Sequence, residues 1–419
     1  MNIQSLEIRL WGQTLGHLAK TKSGIAFEFD EAFKAKAIEI SPFEIPLATT
    51  AIYQPHGRSQ TFSGLPGIIA DCLPDTYGRA AIQAFYKKHF NLDSHQVGPL
   101  EILSYIGPRS IGALEFFPQK AEEISESNVL EVQKLITSAR LILKGKADKV
   151  ADEIIKISSS AGGRQAKALV DFNPHTKEIR AGFDAPMPDF IPCIIKLDGL
   201  MEGDEANYYG RLEYLYSQLA KESGIRIPNT YLLEAENEQG PLAHFIIERF
   251  DRNIAKEKTH HFASLCGLIL RDYREKHSCT YEEYFRVALR LTESQAEVQE
   301  AFRRALFNFV FRVQDDHTKN FAFLMNQKGD WTLSPAYDVT YVFGGAALTH
   351  QMTFHGKDDA FHRSDILNVG KAFGISKTMA IEILDKILEL ANQFKSRAME
   401  IGLEDDYVNG VSNRLRRNI

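Results

Sequence analysis

Residues 314–340 read QDDHTKNFAFLMNQKGDWTLSPAYDVT. In this stretch Asp315 lies five residues before Asn320, and Asp338 lies eighteen residues after Asn320. Phosphoryl transfer from ATP needs a carboxylate to orient the acceptor hydroxyl and oxygen ligands to hold Mg²⁺ on the phosphates. The spacing therefore favours Asp315 as the catalytic base, with Asn320 and Asp338 as the metal ligands.

Protein kinases use the same interval from Asp to Asn, with a metal-binding Asp further on. An ordinary polar loop fits the same letters, because Asp and Asn are common capping and turn residues. Asp316 is a rival for the base, since it lies four residues before Asn320 and only geometry can decide. His317 is either a metal ligand or a structural residue, and Lys319 either neutralises the transferred phosphate or is solvated.

A lysine interrupts the apolar run CIIKLDG at residues 193–199. A lysine inside a buried strand is costly unless it is paired. One hypothesis pairs Lys196 with ATP phosphates and with Glu213 on the following predicted helix, as the strand lysine of kinases is paired. The alternative is an edge lysine that extends its ammonium group into water, beside a surface glutamate.

The segment SSSAGGRQAK at residues 158–167 is rich in small residues. Consecutive small residues let backbone N–H groups approach and hold phosphate oxygens. We therefore expect Ser160, Gly162 and Gly163 to contact ATP, although a glycine turn between two strands fits equally well. The fingerprints of a P-loop, a dinucleotide-binding turn and a G-x-S-x-G hydrolase are absent from the sequence.

Composition excludes several classes of protein. The 419 residues carry a formal net charge of −6, which argues against a DNA-binding protein. The basic residues Arg414–Arg417 are interpreted as a frayed, solvated end. Four cysteines without CxxC spacing indicate neither a zinc site nor a redox motif. The start resembles no signal peptide, and no apolar run approaches the length of a membrane span, so we expect a cytoplasmic protein with no membrane contact.

Hydrophobic periodicity divides the chain into three parts. Residues 1–120 alternate apolar and polar residues between glycine breaks, which predicts hairpins, and also contain helical segments. Residues 121–250 read as a strand-rich lobe with one prominent helix. Residues 251–419 are mostly helical. This order predicts an α+β, two-lobed protein-kinase-like fold with an additional N-terminal α/β subdomain and ATP between the lobes, and IIERFDR (Ile246–Arg252) as the hinge that meets adenine.

Five motifs in this order resemble the HipA family, the serine/threonine kinase toxins of bacterial toxin–antitoxin modules. They are SSSAGGRQAK, IIKL, IIERFDR, DDHTKNFAF and SPAYDVT. GLPGIIADCLPDTYGRAAIQ and LSYIGPRSIGALEF resemble the family's N-terminal subdomain, so the resemblance covers nearly the whole chain. It implies ATP and Mg²⁺ as cofactors.

The resemblance also implies a role for each matching position. Asp315 matches the catalytic Asp, and Lys196 matches the lysine that contacts the ATP phosphates, with Glu213 as the helix glutamate. The backbone of Glu248 and Phe250 matches the adenine hinge.

Two metal ligands and the small-residue loop are matched in the same way. Asn320 and Asp338 match the Mg²⁺ ligands, while His317 and Lys319 belong to the ATP-binding motif. Ser160 matches a serine that some members autophosphorylate to inactivate themselves, and Ser158 and Ser159 are alternatives. The family often has Gly after the catalytic Asp, where this chain has Asp316.

The implied function is a kinase toxin that phosphorylates a protein of translation, an aminoacyl-tRNA synthetase being the expected substrate. A HipB-like DNA-binding antitoxin is the expected partner, and operator DNA would be contacted only through it. Two alternatives remain open: a catalytically silent binding module that represses together with its antitoxin, and a small-molecule phosphotransferase.

Overall fold

The computed structural model describes residues 3–49, 52–55, 60–120, 132–143, 146, 149–150, 155, 157, 166–182, 185–200, 208–237, 240–342 and 349–419. Within these ranges, no helix is long and apolar enough to cross a membrane.

The N-terminal part is an antiparallel sheet with helices. Its strands are β1 (Ser5–Leu10), β2 (Gln13–Thr21), β3 (Gly24–Phe29) and β4 (Leu114–Phe117), in the order β3-β2-β1-β4. The turn between β1 and β2 uses Gly12 at a φ of +74°, which glycine adopts at little cost. The helices are α1 (Glu31–Lys34), α2 (Gly67–Ala70), α3 (Thr76–Phe90) and α4 (Pro99–Ile106). The predicted hairpins are therefore present.

Helix α3 begins directly after the Pro74–Asp75 break. The Asp75 carboxylate caps it by accepting a hydrogen bond from the Gly78 N–H at 2.7 Å. Arg79 lies one turn later, and its N–H donates to the Asp75 carbonyl at 2.8 Å. The first turn of α3 thus carries an acidic and a basic side chain.

A five-stranded antiparallel sheet occupies the middle of the chain. Its strands are β5 (Lys167–Phe172), β6 (Ile179–Ala181), β7 (Ile191–Lys196), β8 (Thr230–Asn237) and β9 (Gly240–Glu248), in the order β6-β5-β7-β9-β8. Helix α5 (Val132–Leu143) precedes the sheet, and α6 (Tyr209–Glu222) joins β7 to β8. Gly210 lets α6 approach β9, because a Cβ atom there would overlap the Ala243 carbonyl oxygen.

The C-terminal part is mostly helical. A small sheet contains β10 (His261–Ser264), β11 (Ala322–Met325) and β12 (Trp331–Leu333) in chain order. The helices are α7 (Leu265–Ile269), α8 (Tyr281–Thr292), α9 (Gln295–Phe311), α10 (Arg363–Ala372), α11 (Lys377–Glu400) and α12 (Asp405–Ser412). Ser294 caps α9 by accepting from the Glu297 N–H at 3.4 Å, as the S-x-x-E spacing predicts.

The expectation of a frayed C-terminal end is wrong. Arg414 donates to the Tyr341 hydroxyl at 2.9 Å, and Arg416 donates to the Asp359 carboxylate at 2.7 Å. The basic side chains therefore fasten the end of the chain to the helical lobe.

The N-terminal part docks on the helical lobe through a close backbone contact. Gly67 of α2 lies against Gly267 of α7, where a Cβ atom on Gly67 would overlap the Gly267 carbonyl oxygen. The Asp71 carboxylate accepts hydrogen bonds from the Ser264 N–H and hydroxyl at 2.7 Å each. Helix α7 in turn packs against residues 318–320, so the N-terminal part supports the predicted catalytic loop from behind.

A buried aspartate joins the same two parts at the end of β9. Asp251 accepts a hydrogen bond from the Gly112 N–H at 2.8 Å and ion pairs with Arg249 and Arg252. These cations outweigh burial and hold the pKa of Asp251 well below its ordinary value. Strand β4 ends at Phe117 and β9 at Glu248; the boundaries at residues 120 and 250 stay predictions.

Candidate active site

The buried lysine of β7 bridges two carboxylates from different parts of the chain. Lys196 is 7% exposed, and its Nζ lies 2.5 Å from Oε1 of Glu213, which is buried on α6. The same Nζ also donates a hydrogen bond to Oδ1 of Asp338 in the C-terminal part. The structure thus brings together three of the predicted residues, and the alternative of a solvated edge lysine is wrong.

The charges of Lys196 and Asp338 support each other. Burial disfavours the charged form of Lys196, but the carboxylates of Asp338 and Glu213 outweigh it and raise the pKa of the ammonium group. Burial likewise opposes ionisation of Asp338, but Lys196 and Lys167 outweigh it and lower the pKa of that carboxyl. Burial raises the pKa of Glu213. In a cleft of this kind the ammonium group stays charged and can attract phosphate oxygens.

Asp338 has an unusual backbone conformation. Its φ of +52° lies in the left-handed region, which non-glycine residues rarely adopt. The Tyr337 hydroxyl next to it donates to the Lys319 carbonyl at 2.7 Å and so ties the SPAYDVT segment to the loop of residues 314–320. Strained backbone that is held this way is frequent at functional sites.

Asp315 and Asn320 lie together at the end of the same loop. The Asn320 Nδ2 donates to the Asp315 carbonyl at 2.7 Å, while half of the Asp315 side chain (52%) is exposed. Both residues line one pocket with Asp338 and with apolar side chains that include Ile225 and Val339. An accessible carboxylate beside two further oxygen ligands is the arrangement that the sequence predicts.

Asp316 is buried and makes its hydrogen bonds inside the protein. Its side chain is fully buried, and its Oδ2 accepts hydrogen bonds from the Tyr281 hydroxyl at 2.6 Å and from Nδ1 of His350 at 2.7 Å. Its Oδ1 accepts from the Gln351 N–H at 2.7 Å. With all these bonds made inside the protein, Asp316 fixes the loop on which Asp315 stands. Of the two acids, only Asp315 is exposed enough to meet a substrate hydroxyl, and its role as the base stays a prediction.

His317 and Lys319 both lie against one aromatic ring. The His317 ring centroid is 5.1 Å from that of Tyr273, and the Lys319 ammonium is 5.2 Å from the same centroid. Nε2 of His317 is 3.7 Å from Oδ1 of Asp315. In the described part of the chain, no group of three or more His, Cys, Asp and Glu side chains is arranged to hold a metal ion.

The predicted hinge lies at the end of β9. The Glu248 N–H donates to the Asn229 carbonyl at 3.0 Å, so only the carbonyl oxygen of Glu248 remains for an adenine edge. The Phe250 ring lies 6.0 Å from that of Tyr337 and 6.4 Å from that of Phe262. The hinge assignment therefore narrows to the Glu248 carbonyl and the Phe250 backbone.

The small-residue loop lies in a part of the chain that the structure does not describe. Ser158, Ser159, Ser160, Gly162 and Gly163 lie outside the described residues. Strand β5 begins at Lys167, the last residue of the SSSAGGRQAK segment. The assignment of the loop to ATP binding and autophosphorylation stays a prediction.

Sequence reasoning missed two charged residues of the cleft. Lys167, the lysine of the G-x-Q-x-K pattern, is buried opposite Lys196 in the β5–β7 register, and burial lowers the pKa of its ammonium group. Asp75 comes from the N-terminal part, and burial raises the pKa of its carboxyl to about 6, although Lys167 and Lys319 act in the opposite direction. The L-P-D break signalled a helix start, but nothing in it signalled the cleft.

The fold and the site define a two-lobed, kinase-like protein. Two family profiles match the chain: the HipA N-terminal domain over residues 6–117 and the HipA-like C-terminal domain over residues 159–394. The chain belongs to the HipA family, as its motifs indicate.

Two comparisons with individual proteins add to this. The fold is similar to that of HipA from Shewanella oneidensis MR-1 in a complex with HipB and its operator DNA, with 18% identity, a TM-score of 0.68, and 97% of this chain and 95% of that chain covered. The predicted two-lobed fold class is thereby confirmed. A Haemophilus influenzae protein named "Putative kinase" is 28% identical over 148 residues, which span 33% of this chain and 43% of that protein. The Helicobacter pylori proinflammatory kinase CtkA matches with a TM-score of only 0.35, at 9% identity over 53% of this chain and 86% of that chain, which supports no argument.

Proposed function

We propose that this chain is an ATP-dependent serine/threonine protein kinase. The observation that carries the proposal is the buried bridge from Lys196 to Glu213 and Asp338, next to the exposed carboxylate of Asp315. Kinases require the same lysine–glutamate pair and the same separation of a metal-binding Asp from a base. A binding protein without catalysis has no need for a buried ammonium group with this arrangement, because burying charges is costly.

The oxygen atoms at the pocket fit a magnesium ion. Asn320 uses its Nδ2 within the loop, which leaves Oδ1 as a ligand atom, and Asp338 uses Oδ1 for Lys196, which leaves Oδ2. Hard oxygen ligands of this type suit Mg²⁺, which would neutralise charge on the ATP phosphates. Lys196 would exchange its contact with Asp338 for phosphate oxygens while keeping Glu213.

Asp315 would act on the acceptor. Its accessible carboxylate would accept a hydrogen bond from a serine or threonine hydroxyl and take the proton as the oxygen atom bonds to phosphorus and ADP leaves. Asp316 would hold the loop in place during this step, because it makes its three hydrogen bonds inside the protein.

We infer a biological role from the family resemblance. HipA of Shewanella oneidensis was solved with HipB and operator DNA, and we propose a HipB-like antitoxin as the partner of this chain. The substrate would be a protein of translation, an aminoacyl-tRNA synthetase being the expected class. Autophosphorylation at Ser160, or at Ser158 or Ser159, would inactivate the kinase, because a phosphate dianion on the loop would draw the loop away from the ATP site.

Nucleotide binding gives a test that does not depend on the substrate. ATP with Mg²⁺ should raise the melting temperature of the protein, because a ligand that binds only the folded state stabilises it. Asp338→Asn should weaken the magnesium-dependent part of that shift. Asp189→Asn is a matched control, since Asp189 is exposed and also has a positive φ, of +65°. An unchanged shift in Asp338→Asn would contradict the assignment of the metal ligand.

Phosphoproteomics identifies the substrate. Cells that express the protein should gain phosphoserine or phosphothreonine on a small set of proteins, with a translation enzyme among them. Gain of a phosphorylated metabolite without any phosphoprotein would instead favour a small-molecule phosphotransferase. Unchanged phosphoproteins together with retained antitoxin binding would favour the catalytically silent module.

A further inference from the structure

Two cations lie against an aromatic ring that is linked to Asp315 through His317. The Arg274 guanidinium lies 5.7 Å and the Lys319 ammonium 5.2 Å from the Tyr273 ring centroid. Arg79 of α3 is close enough for its charge to interact with Arg274 and Tyr273, and we call the four residues the Tyr273 cluster (Arg79, Tyr273, Arg274 and Lys319). None of its side chains has a role in the proposed reaction, apart from Lys319.

Arg79 reaches this place through the docking of the N-terminal part. The Thr61 hydroxyl donates to Oδ1 of Asp272 at 2.5 Å, directly before Tyr273. The same Oδ1 accepts from the Arg274 N–H at 3.0 Å and so fixes the turn that presents the cations. The cluster is therefore a composite of two parts of the chain, and both parts are held by hydrogen bonds.

The positive charge of the cluster is not balanced by ion pairs. Across the described ranges, the side chains of Arg79, Arg274 and Lys319 make no ion pair within 4.0 Å, whereas most buried or half-buried arginines of this chain do, such as Arg226 and Arg304. Burial, and then the charge of Arg274, lower the pKa of the half-buried Arg79. Like charges held together without a counterion are unfavourable, and an anion removes the cost.

The cluster lies close to the Asp315 carboxylate, the proposed base. His317 connects the two, because its ring contacts Tyr273 and its Nε2 is 3.7 Å from Oδ1 of Asp315. Of the acids nearby, Asp272 accepts from the Thr61 hydroxyl and Asp75 from the Gly78 N–H, and the charges of Asp71 and Asp75 act on Lys319 rather than on the two arginines. A negatively charged side chain close to the phosphorylated residue of a substrate would therefore meet free guanidinium groups.

We propose that the Tyr273 cluster recognises the protein substrate by binding an acidic segment that flanks the acceptor hydroxyl. This inference rests on the proposed kinase function and deepens it. Arginine is suited to the task, since its planar guanidinium group binds carboxylates through two parallel hydrogen bonds and stacks on aromatic faces. The chain as a whole carries a net charge of −6, so an acidic peptide would be repelled at long range and held only by a local site.

Fluorescence anisotropy with defined peptides tests the proposal. The probes are fluorescein-labelled peptides with one serine flanked by glutamates, glutamines or lysines, titrated with the full-length protein. We expect the glutamate peptide to bind most tightly and Arg79→Gln/Arg274→Gln to weaken it by about tenfold or more. Arg286→Gln, which changes an exposed arginine of α8, is the matched control and should bind as the wild type does.

Three outcomes would overturn the proposal. The first is tighter binding of the lysine peptide, or equal binding of all three peptides. The second is binding of the glutamate peptide by the double variant as tightly as by the wild type. The third is binding of a single-stranded RNA of the same length as tightly as the glutamate peptide. The melting-temperature shift with ATP and Mg²⁺ separates this proposal from the kinase assignment. That shift should persist in the double variant. Loss of the shift in the double variant would place the cluster in the nucleotide site instead. Absence of the shift in the wild type would count against the kinase assignment itself.

Discussion

The Lys196 ammonium and the Glu213 carboxylate lie 2.5 Å apart in the buried cleft between β7 and α6. Both side chains are less than a tenth exposed, so neither charge has water to replace its partner. Removal of one partner therefore has two separable consequences, one for stability and one for catalysis.

Lys196→Met should lose both activity and stability. Without the ammonium group, phosphate transfer from ATP should fall on the order of 100-fold or more. The unpaired Glu213 should cost about 3–5 kcal/mol in the free energy of unfolding. Urea denaturation and labelled-ATP assays measure the two effects. In Lys196→Met/Glu213→Leu the stability should partly return while the activity does not; recovered activity would show that the pair has no catalytic role.

Asp316→Ala should destabilise the protein more than any change at Asp315. The substitution leaves the Tyr281 hydroxyl, Nδ1 of His350 and the Gln351 N–H without their acceptor, and an unsatisfied buried group costs about 1–3 kcal/mol. Differential scanning calorimetry of both variants checks this. Asp315→Asn should melt close to the wild type, since its side chain is half exposed. Equal melting temperatures of Asp316→Ala and the wild type would show that Asp316 does not hold the loop in place.

The glycine contact between the N-terminal part and α7 gives a third prediction. In Gly267→Ala the new Cβ would overlap the Asp71 carboxylate, so the docking should weaken by about 1–3 kcal/mol and activity should fall, because α7 supports residues 318–320. Gly410→Ala is the control: nothing lies within 4 Å of a Cβ there, and alanine favours a helix. Gly267→Ala should be less stable to chemical denaturation and less active in phosphate transfer than Gly410→Ala. Equal stability and activity of the two variants would contradict the account of the docking contact.

The sequence predicted the parts of the site that depend on local pattern. The Asp315–Asn320–Asp338 spacing, the strand lysine Lys196 and the helix glutamate Glu213 all lie in the cleft as expected. Short-range pattern could not decide between Asp315 and Asp316, because the difference is burial, and burial comes from contacts with His350 and Tyr281 that are far away along the chain.

The sequence pattern also could not predict that charged residues of the N-terminal part lie at the cleft. Asp75 and Arg79 read as an ordinary helix start, and only the docking of α2 on α7 brings them to the cleft. The basic end at Arg414–Arg417 was misjudged for the same reason, since its partners Tyr341 and Asp359 belong to other elements.

A buried acid two residues after the strand lysine predicts a pH dependence of stability. Burial raises the pKa of Asp198, which is 1% exposed, to about 7, whereas an unfolded Asp titrates near 3.9. Between these values the folded state holds more protons than the unfolded state, so the free energy of unfolding should fall as pH rises from about 4 to about 7. The effect of this group is up to about 4 kcal/mol.

Asp198→Asn should flatten that profile, because an amide does not titrate. Urea unfolding of the wild type and the variant at several pH values between 4 and 8 measures the difference. The gap between the two curves should change mainly across this window. A constant gap would show that Asp198 keeps its charge in the folded protein.

Incorporation of phosphate from γ-labelled ATP, with Mg²⁺, into the protein itself and into a cell extract tests the kinase assignment most directly. The wild type should label both its own chain and at least one protein of the extract. Asp315→Asn should reduce both signals by a factor on the order of 1,000, while the control Asp330→Asn, a change in the exposed turn before β12, should label like the wild type. Undiminished labelling by Asp315→Asn would contradict the account of the active site, and no labelling by the wild type would contradict the kinase itself.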